Sequence, residues 1–179
     1  MNYFIRKACL LRKTLFVTSV ALLLSMTLRA QTALKKVYDE KANPIEQIDK
    51  ALQKAEREDK FVICQVGGNW CPWCLRFADF MAKDAAISKV VNENFVFIHT
   101  NYNPRNNADN PQAKQAEQLM KMLGHPGRFG FPVFVVLSPD GKVVHIQDSG
   151  YLEQGNSYDP KKVMRFFQNW TPKAVKGIK

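Results

Sequence analysis

Cys71 and Cys74 are the residues of this chain whose types and spacing most directly suggest chemistry. They stand in Gly67-Gly68-Asn69-Trp70-Cys71-Pro72-Trp73-Cys74, behind an apolar run, Phe61 to Val66, and ahead of an amphipathic segment, Leu75 to Met81. A strand, a glycine turn and a helix start put Cys71 at a helix N-terminus. Partial positive charge and free N–H groups there favour the thiolate, the reactive form of cysteine. Cys74, three residues on, falls on the same helix face. Two sulfurs so placed can close and reopen a disulfide, so the pair predicts thiol–disulfide exchange. The blander readings are a permanent disulfide or half of a zinc site. Zinc takes about four ligands, whereas His99, His125 and His145 are scattered and form no second close pair. Neither a metal nor another cofactor is expected.

The remaining cysteines read differently. Cys64 lies inside the apolar run and is expected to be a buried structural thiol, a small hydrophobe in effect. Cys9 precedes an apolar stretch, Leu15 to Met26, that follows the basic residues Arg6, Lys7, Arg12 and Lys13. That pattern reads as a signal peptide over residues 1–30, since the apolar stretch is short for a membrane span. Ala30 is the candidate last residue before cleavage, and an uncleaved N-terminal anchor is the alternative. Losing those residues removes Arg29 as well and takes the formal charge from +10 to +5. The excess is spread along the chain without a basic block, so nucleic acid is not an expected partner. Export implies a periplasmic or secreted protein in an oxidising or mixed redox compartment.

Elements must position the pair. Residues 31–43 are polar and basic, and are expected to be a flexible arm. Asn43-Pro44 is a helix start, followed by Ile45, Ile48, Leu52 and Ala55 at helical spacing. Phe61 to Val66 suits a strand covered on both faces. The cysteine helix buries Phe77, Phe80 and Met81, and Asp84 caps a further helix with Ile87, Val90 and Val91 inward. Phe95 to Ile98 is the second strand, and Asn101 to Asn110 an exposed loop. Pro111 opens a helix that stops at Gly124, and His125 to Gly130 is a loop. Phe131 to Leu137 and Lys142 to Gln147 make an antiparallel pair across the turn Ser138-Pro139-Asp140-Gly141. Asp159-Pro160 restarts helix, with Val163, Phe166, Phe167 and Trp170 on one face. Residues 171–179 read as a polar tail. Two right-handed βα units plus a hairpin give an α/β fold, a four-stranded mixed sheet with helices on both faces.

This element order, with Trp70-Cys71-Pro72-Trp73-Cys74 after the first strand and Gly130-Phe131-Pro132 before the third, resembles the thioredoxin-like superfamily over residues 44–170. Within it the chain is similar to exported bacterial thioredoxin-like proteins and to the C-terminal domain of periplasmic disulfide reductases. The resemblance implies a three-layer sandwich. It implies that Cys71 is the exposed nucleophile, that Cys74 resolves the mixed disulfide, and that Pro132 is a cis-proline facing them. Phe131, whose backbone could pair with a peptide, would bind substrate together with Trp70 and Trp73. Trp70 would also limit solvent, and Arg128 and Phe129 lie near enough to Pro132 to touch a partner. Two departures stand out. Thioredoxins carry a buried Asp under the pair, where this chain has Gln65 or Cys64. The residues between the cysteines are Pro-Trp in place of Gly-Pro, which leaves the redox potential open.

The expected function is that of an exported thiol–disulfide oxidoreductase, more a reductase than an oxidase. Its expected partners are exported proteins with disulfides or oxidised cysteines, and a membrane-bound electron donor. Two other classes compete. One is a non-catalytic binding module presenting Phe129, Phe131 and Trp73. The other is a thiol-based carrier of copper or zinc.

Overall fold

The structure is a computed structural model that describes residues 34–103 and 111–177. The segment read as a signal peptide, and residues 104–110 of the loop expected after the second strand, lie outside the described residues. Among the described residues no helix is long and apolar enough to cross a membrane.

Local chemistry sets each element. Asn43 Oδ1 accepts from Ile45 N at 3.0 Å and starts α1 (Pro44–Glu58), with Pro44 at the first helical position where no N–H is needed. Asp59, at φ 51°, ends it. Strand β1 (Phe61–Gly67) is buried along its whole length. Next come α2 (Pro72–Lys83), then α3 (Ala85–Asn94), capped by Asp84 Oδ1 accepting from Ile87 N. Strand β2 (Phe95–Asn101) follows directly. Helix α4 (Pro111–Met122) leads through a tight turn to β3 (Val133–Leu137) and β4 (Val143–Asp148).

The sheet order is β2-β1-β3-β4. β1 runs parallel to β2, from Phe61↔Phe95 to Gly67↔Asn101, and antiparallel to β3; β3 and β4 are antiparallel. The four-stranded mixed sheet matches the expectation, and its central strand carries the site.

Alternation along β1 sorts the two cores. Phe61 and Ile63 face α2, α3 and the C-terminal helix α6 (Pro160–Asn169), in a cluster with Phe77, Ile87, Phe134, Tyr158 and Phe167. Val62, Cys64 and Val66 face α1 and α4, packing with Ile48, Ala55, Leu119 and Leu123. Phe77 anchors the first cluster, with ring centroids 4.4 Å from Phe134 and 4.8 Å from Tyr158. Burying one such side chain is worth about 1.5–3 kcal/mol.

Several boundaries differ from the sequence reading. β3 begins at Val133, so Phe131 and Pro132 lie just ahead of the strand. The loop before them holds a 3-10 turn, Pro126–Phe129. After β4 the chain forms a short helix α5 (Ser149–Leu152) and a small hairpin, β5 (Glu153–Gln154) and β6 (Ser157–Tyr158), which the sequence reading passed over. Asp148 starts that helix by accepting from Gly150 N at 2.8 Å. The stretch read as a polar tail contains α7 (Pro172–Lys176). Thr171 Oγ1 accepts from Ala174 N, so Thr-Pro is a helix start like Asn43-Pro44.

The stretch expected as a flexible arm is fastened to the body. Asn69 Oδ1 accepts from Val37 N at 3.1 Å and Tyr38 N at 3.2 Å, and Asn69 Nδ2 donates to Tyr38 O at 2.9 Å. One amide side chain thereby mimics a strand partner, and Tyr38 is buried.

Candidate active site

Cys71 is the cap residue of α2, with extended backbone (φ −101°, ψ 106°) and Pro72 in the first turn. Its Sγ accepts from Cys74 N at 3.2 Å, the place a Ser or Asp oxygen takes at other helix starts. A backbone N–H aimed at sulfur, with the positive end of the helix behind it, is what lowers the free energy of a thiolate. Cys71 and Cys74 are joined as a disulfide, with Cα atoms 5.3 Å apart.

The resemblance implied an exposed Cys71. With the disulfide closed it is only 4% exposed, and Cys74 is fully buried. The reason is packing: Trp73, Phe131, Leu34 and Val37 close around the pair.

The Phe131–Pro132 peptide bond is cis. Cys71 Sγ lies 3.5 Å from Phe131 O, so this segment borders the disulfide. Phe131 stacks on Tyr102 (5.1 Å) and meets the Trp70 ring edge-on (5.5 Å). Trp70 Nε1 donates to Tyr102 O at 2.8 Å, while the ring is 39% exposed. Trp73 lies on the other flank, edge-on to Tyr158, with the Arg76 guanidinium 4.7 Å above its ring. The site therefore brings together Cys71, Cys74, Trp70, Trp73, Phe131 and Pro132. Tyr102 and Arg76 were not singled out in the sequence. Phe129, 41% exposed, packs under the Arg128 guanidinium, whose Nη1 donates to Gly124 O and His125 O. Arg128 thus fastens its own turn.

The two glycines are there for space. A Cβ on Gly67 would overlap Cys74 Sγ, and one on Gly68 would overlap the Trp70 ring.

Beneath the pair, strand alternation decides between Gln65 and Cys64. Gln65 shares the α2 side of the sheet with Ile63, is fully buried, and donates from Nε2 to Cys74 O at 2.9 Å. Cys64 points to the α1 side. Burial pushes its thiol up to about 12, so it is an inert free cysteine. Opposite Gln65 on β2 stands His99, whose ring meets Tyr38 edge-on at 5.4 Å; burial pulls its pKa down to about 4. Tyr38 itself went unrecognised. Its signal was slight: a lone aromatic within a polar, basic stretch. Among the described residues no three His, Cys, Asp or Glu side chains gather as a metal-ligand set.

Comparison with known proteins agrees with this arrangement. The sequence model of the family Thioredox_DsbH, described as a protein of unknown function, DUF255, matches residues 28–173. The crystal structure of a disulphide isomerase from Xylella fastidiosa Temecula1 superposes with TM-score 0.63 at 24% identity, covering 76% of this chain and 98% of that one. The solution structure of a thioredoxin from Thermus thermophilus gives TM-score 0.51 at 17% identity, over 82% of this chain and 95% of that one. These likenesses show a thioredoxin fold. An uncharacterized protein from Caenorhabditis elegans, B0495.5, is 29% identical over 90 residues, which is 50% of this chain and 12% of that protein's length.

Proposed function

The chain belongs to the Thioredox_DsbH family of thioredoxin-like proteins, and from that premise we propose that it is an exported thiol–disulfide oxidoreductase that reduces disulfides of other exported proteins. One observation carries the reading: Cys71 Sγ caps α2 beside the cis Phe131–Pro132 segment, with Cys74 within disulfide reach.

In the reduced protein Cys71, as thiolate, attacks one sulfur of a substrate disulfide. A Cys71–substrate bond forms, and the other substrate sulfur leaves with the electron pair and takes a proton. Cys74 then loses its proton and attacks Cys71 Sγ. The enzyme disulfide closes and the second substrate thiol departs. The substrate gains two electrons and the enzyme loses two, which a membrane-bound dithiol donor restores. Phe131 offers backbone beside the sulfur for an extended peptide, and Trp70 and Trp73 flank it as apolar contacts. Residues 1–30 act as the export signal.

The test is disulfide reduction by the wild type against Cys71→Ser. Loss of turnover in the variant is expected, and equal rates end the proposal. A Cys74→Ala variant should accumulate mixed disulfides with exported proteins. Recovery of cytoplasmic proteins alone would contradict the compartment. The reduction potential separates this function from a mere lock on the helix: a couple too negative for a glutathione pool to reduce would favour the lock.

A further inference from the structure

Behind the cysteine pair is a buried polar spot that the closed disulfide leaves unsatisfied. Tyr38 is 5% exposed and Gln65 fully buried, yet neither Tyr38 Oη nor Gln65 Oε1 makes a well-formed hydrogen bond, although the Gln65 side chain lies close enough to the phenol to interact with it. Tyr38 packs in one cluster with Cys71, Cys74 and Leu75. Its hydroxyl and Cys74 Sγ converge on the same point above Gly67: a Cβ there would lie 3.1 Å from Tyr38 Oη and would overlap Cys74 Sγ. A buried hydroxyl without a well-formed hydrogen bond is a standing cost to the folded protein. A disulfide sulfur is a weak acceptor, whereas a thiolate is a strong one.

We propose that Tyr38 is a redox-dependent hydrogen-bond donor to Cys74, idle while the disulfide is closed and turned to the sulfur when Cys74 acts as thiolate. This rests on the disulfide-exchange reading of Cys71 and Cys74 and adds the group that readies the resolving thiol. The other groups facing the spot do not serve. Gln65 is a neutral amide whose Nε2 is already committed to Cys74 O. His99, on β2, is neutral near pH 7 because it is buried. Tyr158, from the small hairpin, spends its hydroxyl on Trp73 O at 3.0 Å. Cys71, on α2, is the sulfur under attack.

In the resolving step Cys74 forms its bond to Cys71 Sγ, the Cys71–substrate bond breaks, and the proton lost by Cys74 ends on the departing substrate sulfur. Tyr38 keeps its own proton throughout. Burial holds its phenol far above the ordinary value, which suits a donor and rules out a base. The three hydrogen bonds between the Asn69 side chain, which accepts two and donates one, and the Val37–Tyr38 backbone hold this donor in place, which gives that asparagine, inside the Gly67 to Cys74 stretch, a positioning role.

Tyr38→Phe removes only the hydroxyl. In a Cys71→Ser background, ultraviolet thiolate absorbance titrates Cys74. Its midpoint is expected to rise by about one unit on adding Tyr38→Phe, a roughly tenfold loss of thiolate. With both cysteines present, release of substrate from the mixed disulfide should slow by a similar factor, while the first attack by Cys71 keeps its rate. Thermal melting separates this from packing: the oxidised Tyr38→Phe protein should melt no lower than wild type, since the lost hydroxyl makes no well-formed hydrogen bond while the disulfide is closed. An unchanged Cys74 midpoint, or a lower melting temperature in the oxidised form, overturns the proposal. Absence of disulfide reduction in the wild type would instead overturn the functional reading, and the Cys74 midpoint would still judge Tyr38.

Discussion

A single methyl group tests how tightly the site is built. Gly67→Ala would push a Cβ into Cys74 Sγ, where α2 and the central strand leave no room. The oxidised protein should lose about 1–3 kcal/mol in urea unfolding, and the disulfide should become easier to reduce, because opening it relieves the overlap. At the same scale, His99 predicts a pH dependence. Its folded pKa of about 4 lies below the ordinary histidine value of 6.5, so the unfolded chain binds its proton first as pH falls. The stability tied to neutral His99 is therefore complete above about pH 6.5 and is lost on acidification towards pH 4, to the extent of about 2–3 kcal/mol. Between about pH 6.5 and pH 4 the wild type should lose melting stability relative to His99→Gln, because glutamine has no buried charge to acquire. Parallel curves would deny His99 this part.

At the scale of elements, the site is a meeting of four pieces: the α2 start, the segment before β3, the β1 strand end and the residues ahead of α1. Asn69 joins the last of these to the first, with three hydrogen bonds to the Val37–Tyr38 backbone. Asn69→Ala should cost about 1–3 kcal/mol and expose residues 34–40 to limited proteolysis while the rest of the domain stays resistant. Unchanged cleavage would mean that burial of Tyr38 alone holds the segment. Helix starts were readable at Asn43-Pro44, Cys71-Pro72 and Asp159-Pro160, but not at Thr171-Pro172, whose five-residue helix is too short to show an apolar period. The hairpin at residues 153–158 was not readable either, because two-residue strands carry no period of apolar residues to detect.

For the whole molecule, the central sheet divides the chemistry in two. Gln65 lies on the cysteine side and Cys64 on the side of α1 and α4, one residue and one sheet face apart. Cys64→Ala should leave disulfide reduction unchanged, and native Cys64 should resist alkylation until the protein unfolds, as mass spectrometry of pulse-labelled protein would read. The aromatic cluster on the cysteine side is centred on Phe77. Phe77→Ala, at its centre, should cost about 3–5 kcal/mol in urea unfolding, while exposed Phe129→Ala should cost less than about 0.5 kcal/mol. A mild Phe77→Ala effect would mean that the neighbouring rings collapse into the gap.

The sequence by itself determined the fold class and the position of the cysteine pair. The pattern of apolar runs, proline-led helix starts and a Cys-Pro-Trp-Cys segment after the first strand is local, and local signals survive without a structure. The parts only the tertiary structure decided are those set by long-range packing. Strand alternation in a folded sheet placed Gln65 rather than Cys64 under the pair. Closure of Trp73, Phe131 and the N-terminal segment buried Cys71. Three hydrogen bonds between Asn69 and the Val37–Tyr38 backbone, across 31 and 32 positions of sequence, hold Tyr38 at the back of the disulfide. No periodicity or spacing records such a contact, because its partners are neighbours only after the chain has folded.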